Sequence, residues 1–195
     1  MTHKALRIIE DEHQSIAAVL HGLLYLVRET AEHGAKPDLL LLHAMLDYIV
    51  AFPQSLHHPK EDEHLFKILR QRDPQAAGLI DELEGEHARG EQLIQDLKDA
   101  LVRYESNGPS QAAAFASAVR SYADFHWDHM RKEEQQVLPR AEKAFTESDW
   151  DQLSAAFKEN DDPLFGIKPR DEMRQLFQRI LNLAPPPIGV GPEPH

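Results

Sequence analysis

The chain predicts an all-α fold: an up-down-up-down four-helix bundle, followed by one or two short C-terminal helices and an extended Pro-rich tail. Three observations carry that expectation. Apolar residues recur at the 3–4 spacing of a buried helical stripe over four long stretches. Pro- and Gly-containing stop signals separate those stretches by short connections. The sequence also matches itself at an offset of 72 to 74 residues, as a helical hairpin used twice would.

The first helix is expected over about residues 2–32, where Leu6, Ile9, Ile16, Leu20, Leu23, Leu24 and Val27 form one stripe. His33-Gly34-Ala35-Lys36-Pro37 ends it. Asp38 is a suitable cap for a second helix reaching about residue 72, with a kink or short break expected at Pro53 and Pro59. Asp73-Pro74 is the next boundary. A third helix then runs over about 75–104 and stops at Ser106-Asn107-Gly108-Pro109. The fourth covers about 110–145, bent near its end by Pro139. Residues 1–147 thus form the bundle domain. Residues 148–184 form a helical extension, with one helix over about 148–158 capped by Ser148 or Asp149 and another over about 170–183. Residues 185–195, rich in Pro and Gly, form a flexible tail.

Composition narrows the function. The 195 residues are 42% hydrophobic, enough for a sizeable core. The formal charge of −12 argues against nucleic acid or an anionic membrane as a partner. Cysteine is absent, which excludes disulfides, thiolate zinc sites, iron–sulfur clusters and thiol nucleophiles. The N-terminus reads as neither signal peptide nor anchor, and no apolar run is expected to span a membrane, so a cytoplasmic location is expected.

The chemistry lies in two near-copies. His57-His58-Pro59-Lys60-Glu61-Asp62 and His129-Met130-Arg131-Lys132-Glu133-Glu134 each place a histidine four residues before a glutamate, on one face of a helix. Such pairs also occur as exposed ion pairs. However, Tyr122, His126, His129, Glu133 and Val137 continue an inward stripe on the fourth helix. His58 with Asp62 has the same spacing and competes with His57 and Glu61; the match to the second copy favours His57 and Glu61. The segment Glu10-Asp11-Glu12-His13 aligns with Glu84-Gly85-Glu86-His87, and each of those histidines interrupts an apolar stripe. A lone inward histidine is usually a hydrogen-bonded core residue. Two at matching positions, beside two His-x3-Glu pairs, call for a shared cause. Duplication would gather His13, His57, His87 and His129 around one axis.

Four imidazoles and two carboxylates suit iron, manganese or zinc. Six side chains exceed one tetrahedral site and suit two metals bridged by Glu61 and Glu133, with positions left open for a small molecule. His126 is read as a ligand, an outer partner or a pocket group. Glu91, Asp62, His64 and Glu134 are further candidates for ligation or for outer support, as is His58. Loss of His57 or His129 is expected to cost most of the metal, and loss of His58 little.

These motifs, in the order His, His-x3-Glu, His, His-x3-Glu over about residues 5–145, resemble the hemerythrin-like proteins, the HHE cation-binding family. The resemblance implies a four-helix bundle holding a non-haem di-iron centre, with His13, His57, Glu61, His87, His129 and Glu133 as ligands. Its members are variously oxygen carriers or sensors, iron handlers, and proteins responding to nitric oxide or oxidative stress. Two departures matter. Glu91 stands where oxygen-carrying members have a second third-helix histidine, and their fourth-helix carboxylate would fall at Glu134. Oxygen transport is therefore not expected. Ferritin-like bundles need their Glu-x-x-His pairs on other helices than those that carry them here.

The leading expectation is a di-iron protein that binds or senses oxygen or nitric oxide, or handles iron, in contact with a homodimer mate or a protein partner. The alternatives are an enzyme acting on nitric oxide or peroxide, and an interaction module with a structural metal or none.

Overall fold

The periodic stretches become four long helices and one shorter one, and no strand occurs among the described residues. The computed structural model describes residues 3–36, 38–158, 180 and 182. The expected second C-terminal helix, apart from Ile180 and Asn182, and the Pro-rich tail lie outside the described residues.

Helix α1 spans Lys4–His33 and ends at Gly34, whose φ of 68° places it in the left-handed region that terminates helices. Asp38 caps α2, accepting from the Leu41 N–H at 3.0 Å. Helix α2 then runs continuously over Leu39–Arg72. Pro53 and Pro59 do not break it, contrary to the expected interruption. The chain instead widens into π-helical turns over Val50–His57 and Glu61–Phe66. Proline lacks the N–H of the normal i→i−4 bond, and the wider turn re-pairs the ladder. Thus the His58 N–H donates to Pro53 O, and Ser55 Oγ donates to Val50 O at 2.7 Å.

A 3-10 turn at Pro74–Ala76 leads into α3, Ala77–Asn107. Helix α4 covers residues 112–144 and contains a third π-helical stretch, Glu133–Val137. Helix α5, Glu147–Lys158, is capped by Thr146 rather than by Ser148 or Asp149. Thr146 Oγ1 accepts from the Asp149 N–H, and Asp149 accepts from the Thr146 N–H, a reciprocal box three residues apart. Asp149 also takes two hydrogen bonds from Arg72, which fastens α5 to the end of α2.

Two apolar clusters fill the interior. One collects Leu20 and Leu23 from α1, Met45 and Phe52 from α2, Leu97 from α3 and Val119 from α4. The other collects Leu6 and Ile9, Leu65 and Phe66, Ile80 and Leu83, Val137 and Leu138, and adds Trp150 and Phe157 from α5. Helices α1 and α3 enter through the second cluster and leave through the first, while α2 and α4 do the reverse. Between the clusters lies a layer of buried histidines and glutamates.

One sequence expectation needs correction. Helix α2 contains an 18-residue window of mean hydropathy 1.4, apolar enough by composition to cross a membrane. Its apolar residues Leu41, Leu42, Met45, Leu46, Tyr48, Ile49 and Phe52 are buried in the bundle core, which accounts for the run.

Candidate metal centre

His13 on α1, His57 and Glu61 on α2, His87 on α3, and His129 and Glu133 on α4 all point into the polar layer, and none is more than 6% exposed. The ring nitrogens converge. His87 Nε2 and His129 Nε2 lie 3.0 Å apart. His13, His57 and Glu61 form one group whose ligand atoms lie within 4.8 Å of one another, and Glu61, His87, His129 and Glu133 form a second. Glu61 belongs to both.

The two carboxylates divide their oxygens between the histidine pairs. Glu61 Oε1 lies 3.4 Å from His57 Nε2 and 3.8 Å from His13 Nε2, while its Oε2 lies 3.6 Å from His87 Nε2. Glu133 Oε2 lies 3.2 Å from His13 Nε2, and its Oε1 lies 3.3 Å from His129 Nε2 and 3.8 Å from His87 Nε2. Glu61 therefore faces His13, His57 and His87, and Glu133 faces His13, His87 and His129, so each glutamate meets histidines from both halves of the chain.

A ring of outer carboxylates fixes the imidazoles. The Nδ1 N–H of His57 donates to Glu12 at 2.7 Å, and that of His87 to Asp62 at 2.8 Å. His129 Nδ1 donates to Glu86 and His13 Nδ1 to Glu134, both at 3.0 Å. The ring is closed: α1 holds the histidine of α2, α2 that of α3, α3 that of α4, and α4 that of α1. Each holding carboxylate is the chain neighbour of an inward residue. With Nδ1 engaged, every Nε2 is left facing the centre, the tautomer and orientation that histidine ligation requires.

A family model described as the hemerythrin HHE cation binding domain matches residues 4–141. The chain belongs to that family. No curated protein and no solved structure matches it. The family is a cation-binding one, and the buried His and Glu groups here can hold a metal.

The donor set fits a cation on its own terms. Both oxygens of Glu61, both oxygens of Glu133 and His13 Nε2 are buried without a hydrogen-bond partner. Burying carboxylate oxygens without hydrogen-bond donors is costly even where charged imidazoles lie nearby. A metal ion among them removes that cost, whereas a purely structural role does not explain it.

Electrostatics of the protein groups point the same way. Burial opposes charge on His13, His87 and His129, yet the facing carboxylates outweigh it. His13 is raised well above the usual range by Glu133, Glu134 and Glu61. His87 is raised to about 10 by Asp62, Glu133 and Glu61, and His129 to about 9 by Glu133 and Glu86. Burial likewise opposes charge on Glu133, but His129, His13 and His87 hold its carboxyl well below the ordinary range. Burial pushes His57 down to about 4 and His126 to about 3. The centre thus attracts positive charge strongly, and protons compete for the places a cation would take.

The other sequence candidates separate. Asp62 and Glu134 are outer partners of histidines. Glu91 is exposed and takes no part, because Gly90 is the residue that turns inward on that turn of α3. His64 is half-buried and belongs to no ligand group among the described residues. His126 is buried and packs against Tyr122 at 4.4 Å. His58 is buried against His87. Sequence reasoning missed Glu12 and Glu86 as holding groups. Their only signal was the repeated Glu-His dipeptide, which does not reveal that the glutamate serves a histidine on another helix.

Proposed function

We propose that this protein is a non-haem di-iron protein, an up-down-up-down bundle whose buried centre binds a small molecule such as oxygen or nitric oxide, or handles iron. In this reading His13 and His57 would hold one ion and His87 and His129 the other, with Glu61 and Glu133 as the carboxylates shared between them. The observation that carries the reading is the division of each glutamate's oxygens between the two histidine pairs. The nitrogen–oxygen donor set without thiolate suits iron, with manganese or zinc as substitutes. The alternation of the helices between the two apolar clusters supports the bundle topology.

When bound, iron would supply positions for a small exogenous ligand and one-electron redox chemistry. The chain's own residues do the rest. Glu12, Asp62, Glu86 and Glu134 hold the imidazole orientations. Phe52, Phe66 and Phe157 flank the histidines and keep bulk water from them. Metal content per chain, together with an absorption spectrum of protein purified without added metal, tests the reading. Two irons with bridged di-iron bands that change on exposure to oxygen or nitric oxide are expected. Protein that takes up fewer than two metals per chain, without such bands, contradicts it.

A further inference from the structure

The half-site of His87 and His129 lacks a second histidine on α3, since Glu91 is exposed at the position one turn on. We propose that His58 supplies a third imidazole nitrogen there, giving an asymmetric centre with His58, His87 and His129 on one side and His13 and His57 on the other. The proposal rests on the two-metal reading above and departs from the expectation, drawn from the sequence, that loss of His58 costs little metal.

His58 is only 4% exposed, although the residue beside it in the chain, His57, is also buried. Successive residues of a regular helix do not share a face. The π-helical turns on either side of His58–Lys60 change the register enough to bring both rings inward. The His58 ring stacks on His87 with centroids 4.2 Å apart and planes 10° apart, and lies 5.5 Å from the His129 ring. The ligand nitrogens of His58, His87 and His129 fall within 4.8 Å of one another. Its Nδ1 is buried without a hydrogen-bond partner.

His126 is the other candidate for the nitrogen. It is buried, and its Nε2 also lacks a partner. Its ring, however, lies 6.3 Å from that of His129, and it joins none of the ligand groups among the described residues. A core role for His58 is also weighed by the geometry. An imidazole that only filled space would leave its nitrogen unsatisfied, and a phenyl ring would fill the same place better.

That contrast supplies the test. Wild-type protein, His58→Phe and His126→Ala are loaded with ferrous iron without oxygen. Metal affinity is measured by chelator competition, the two irons are compared by Mössbauer spectroscopy, and the thermal stability of metal-stripped protein is recorded. The wild type is expected to show two unequal iron sites. His58→Phe is expected to fold at least as stably when stripped, yet to bind one iron more weakly by more than the roughly 10–100-fold that loss of a ligand's hydrogen-bonding partner costs. His126→Ala is expected to keep both irons. Unchanged iron affinity in His58→Phe, or loss of an iron in His126→Ala alone, overturns the proposal. A wild type binding fewer than two irons overturns the two-metal reading instead, and the His58→Phe comparison still decides whether His58 contributes a ligand nitrogen.

Discussion

Glu12 accepts a hydrogen bond from His57 Nδ1 at 2.7 Å, and both residues are buried. Its counterpart in the second half is Glu86, which accepts from His129 Nδ1 at 3.0 Å. Each glutamate stands one residue before an inward histidine but serves a histidine on the next helix. The four helices are thereby linked in a closed cycle around the centre, with the imidazole Nε2 atoms turned inward.

Neutralising a member of this cycle should weaken metal binding without removing a ligand. Glu12→Gln and Glu86→Gln are each expected to lower metal affinity by roughly 10–100-fold, as loss of a carboxylate behind a ligand histidine does. Glu134→Gln should cost less, because the Glu134 side chain is 45% exposed and water can replace it. Chelator competition on the three variants measures this ranking. Equal affinities across wild type and variants would mean that the cycle does not position the ligands.

Cation binding must displace protons from the imidazoles that the facing carboxylates keep charged. Burial opposes that charge, but His87 is raised to about 10 and His129 to about 9, and His13 is raised as well. Binding near pH 7 is therefore expected to release protons, seen as a dependence of the calorimetric heat on buffer ionisation enthalpy. The same shifts set the pH dependence of metal-stripped protein. A raised folded-state value gives stability fully present below the histidine's unfolded value, near 6.5, and lost as pH rises through about 9 to 10. Stripped protein should thus melt at a lower temperature at pH 10 than at pH 7. A flat profile would contradict the assignment.

The four long helices were legible because their apolar stripes run for many turns and their stops are explicit, as at Ser106-Asn107-Gly108-Pro109. The i,i+4 spacing was enough to suggest that His57 and Glu61 share a face, and the structure puts them 3.4 Å apart. The consequence of Pro53 and Pro59 was not legible. A missing N–H can end a helix or widen it, and the local sequence does not say which; here the chain widens on both sides of the buried His58. The partners of Glu12 and Glu86 lie on other helices, and local periodicity carries no information about those.

Phe66 supports the centre from the apolar side. It is fully buried, and its ring lies parallel to His87 at 5.6 Å. Phe66→Ala is expected to cost about 3–5 kcal/mol. For a chain of this size that lowers the melting temperature by about 6–20 °C. A loss below about 1 kcal/mol in urea unfolding would show that the site collapses around the gap instead.

Helix α5 is held by Thr146, Asp149 and Arg72. Thr146→Ala should cost about 0.5–2 kcal/mol, the usual cost of losing an N-cap. Hydrogen bonds from Arg72 and Thr146 hold the Asp149 carboxyl well below the usual range. Its contribution is therefore present above the unfolded value of about 4 and lost as pH falls below it. Asp149→Asn should flatten this part of the acid unfolding curve. An identical acid limb in both proteins would exclude Asp149 as a source.

Under the proposed function, Glu61 and Glu133, each of which meets histidines from both halves of the chain, would bridge two ions. Anaerobic iron titration followed by low-temperature magnetic measurement of the oxidised protein tests it most directly. The account predicts an end point of two irons per chain, antiferromagnetically coupled, with the coupling lost in Glu61→Ala. An end point of one iron, or two irons that are magnetically independent in the wild type, would contradict it.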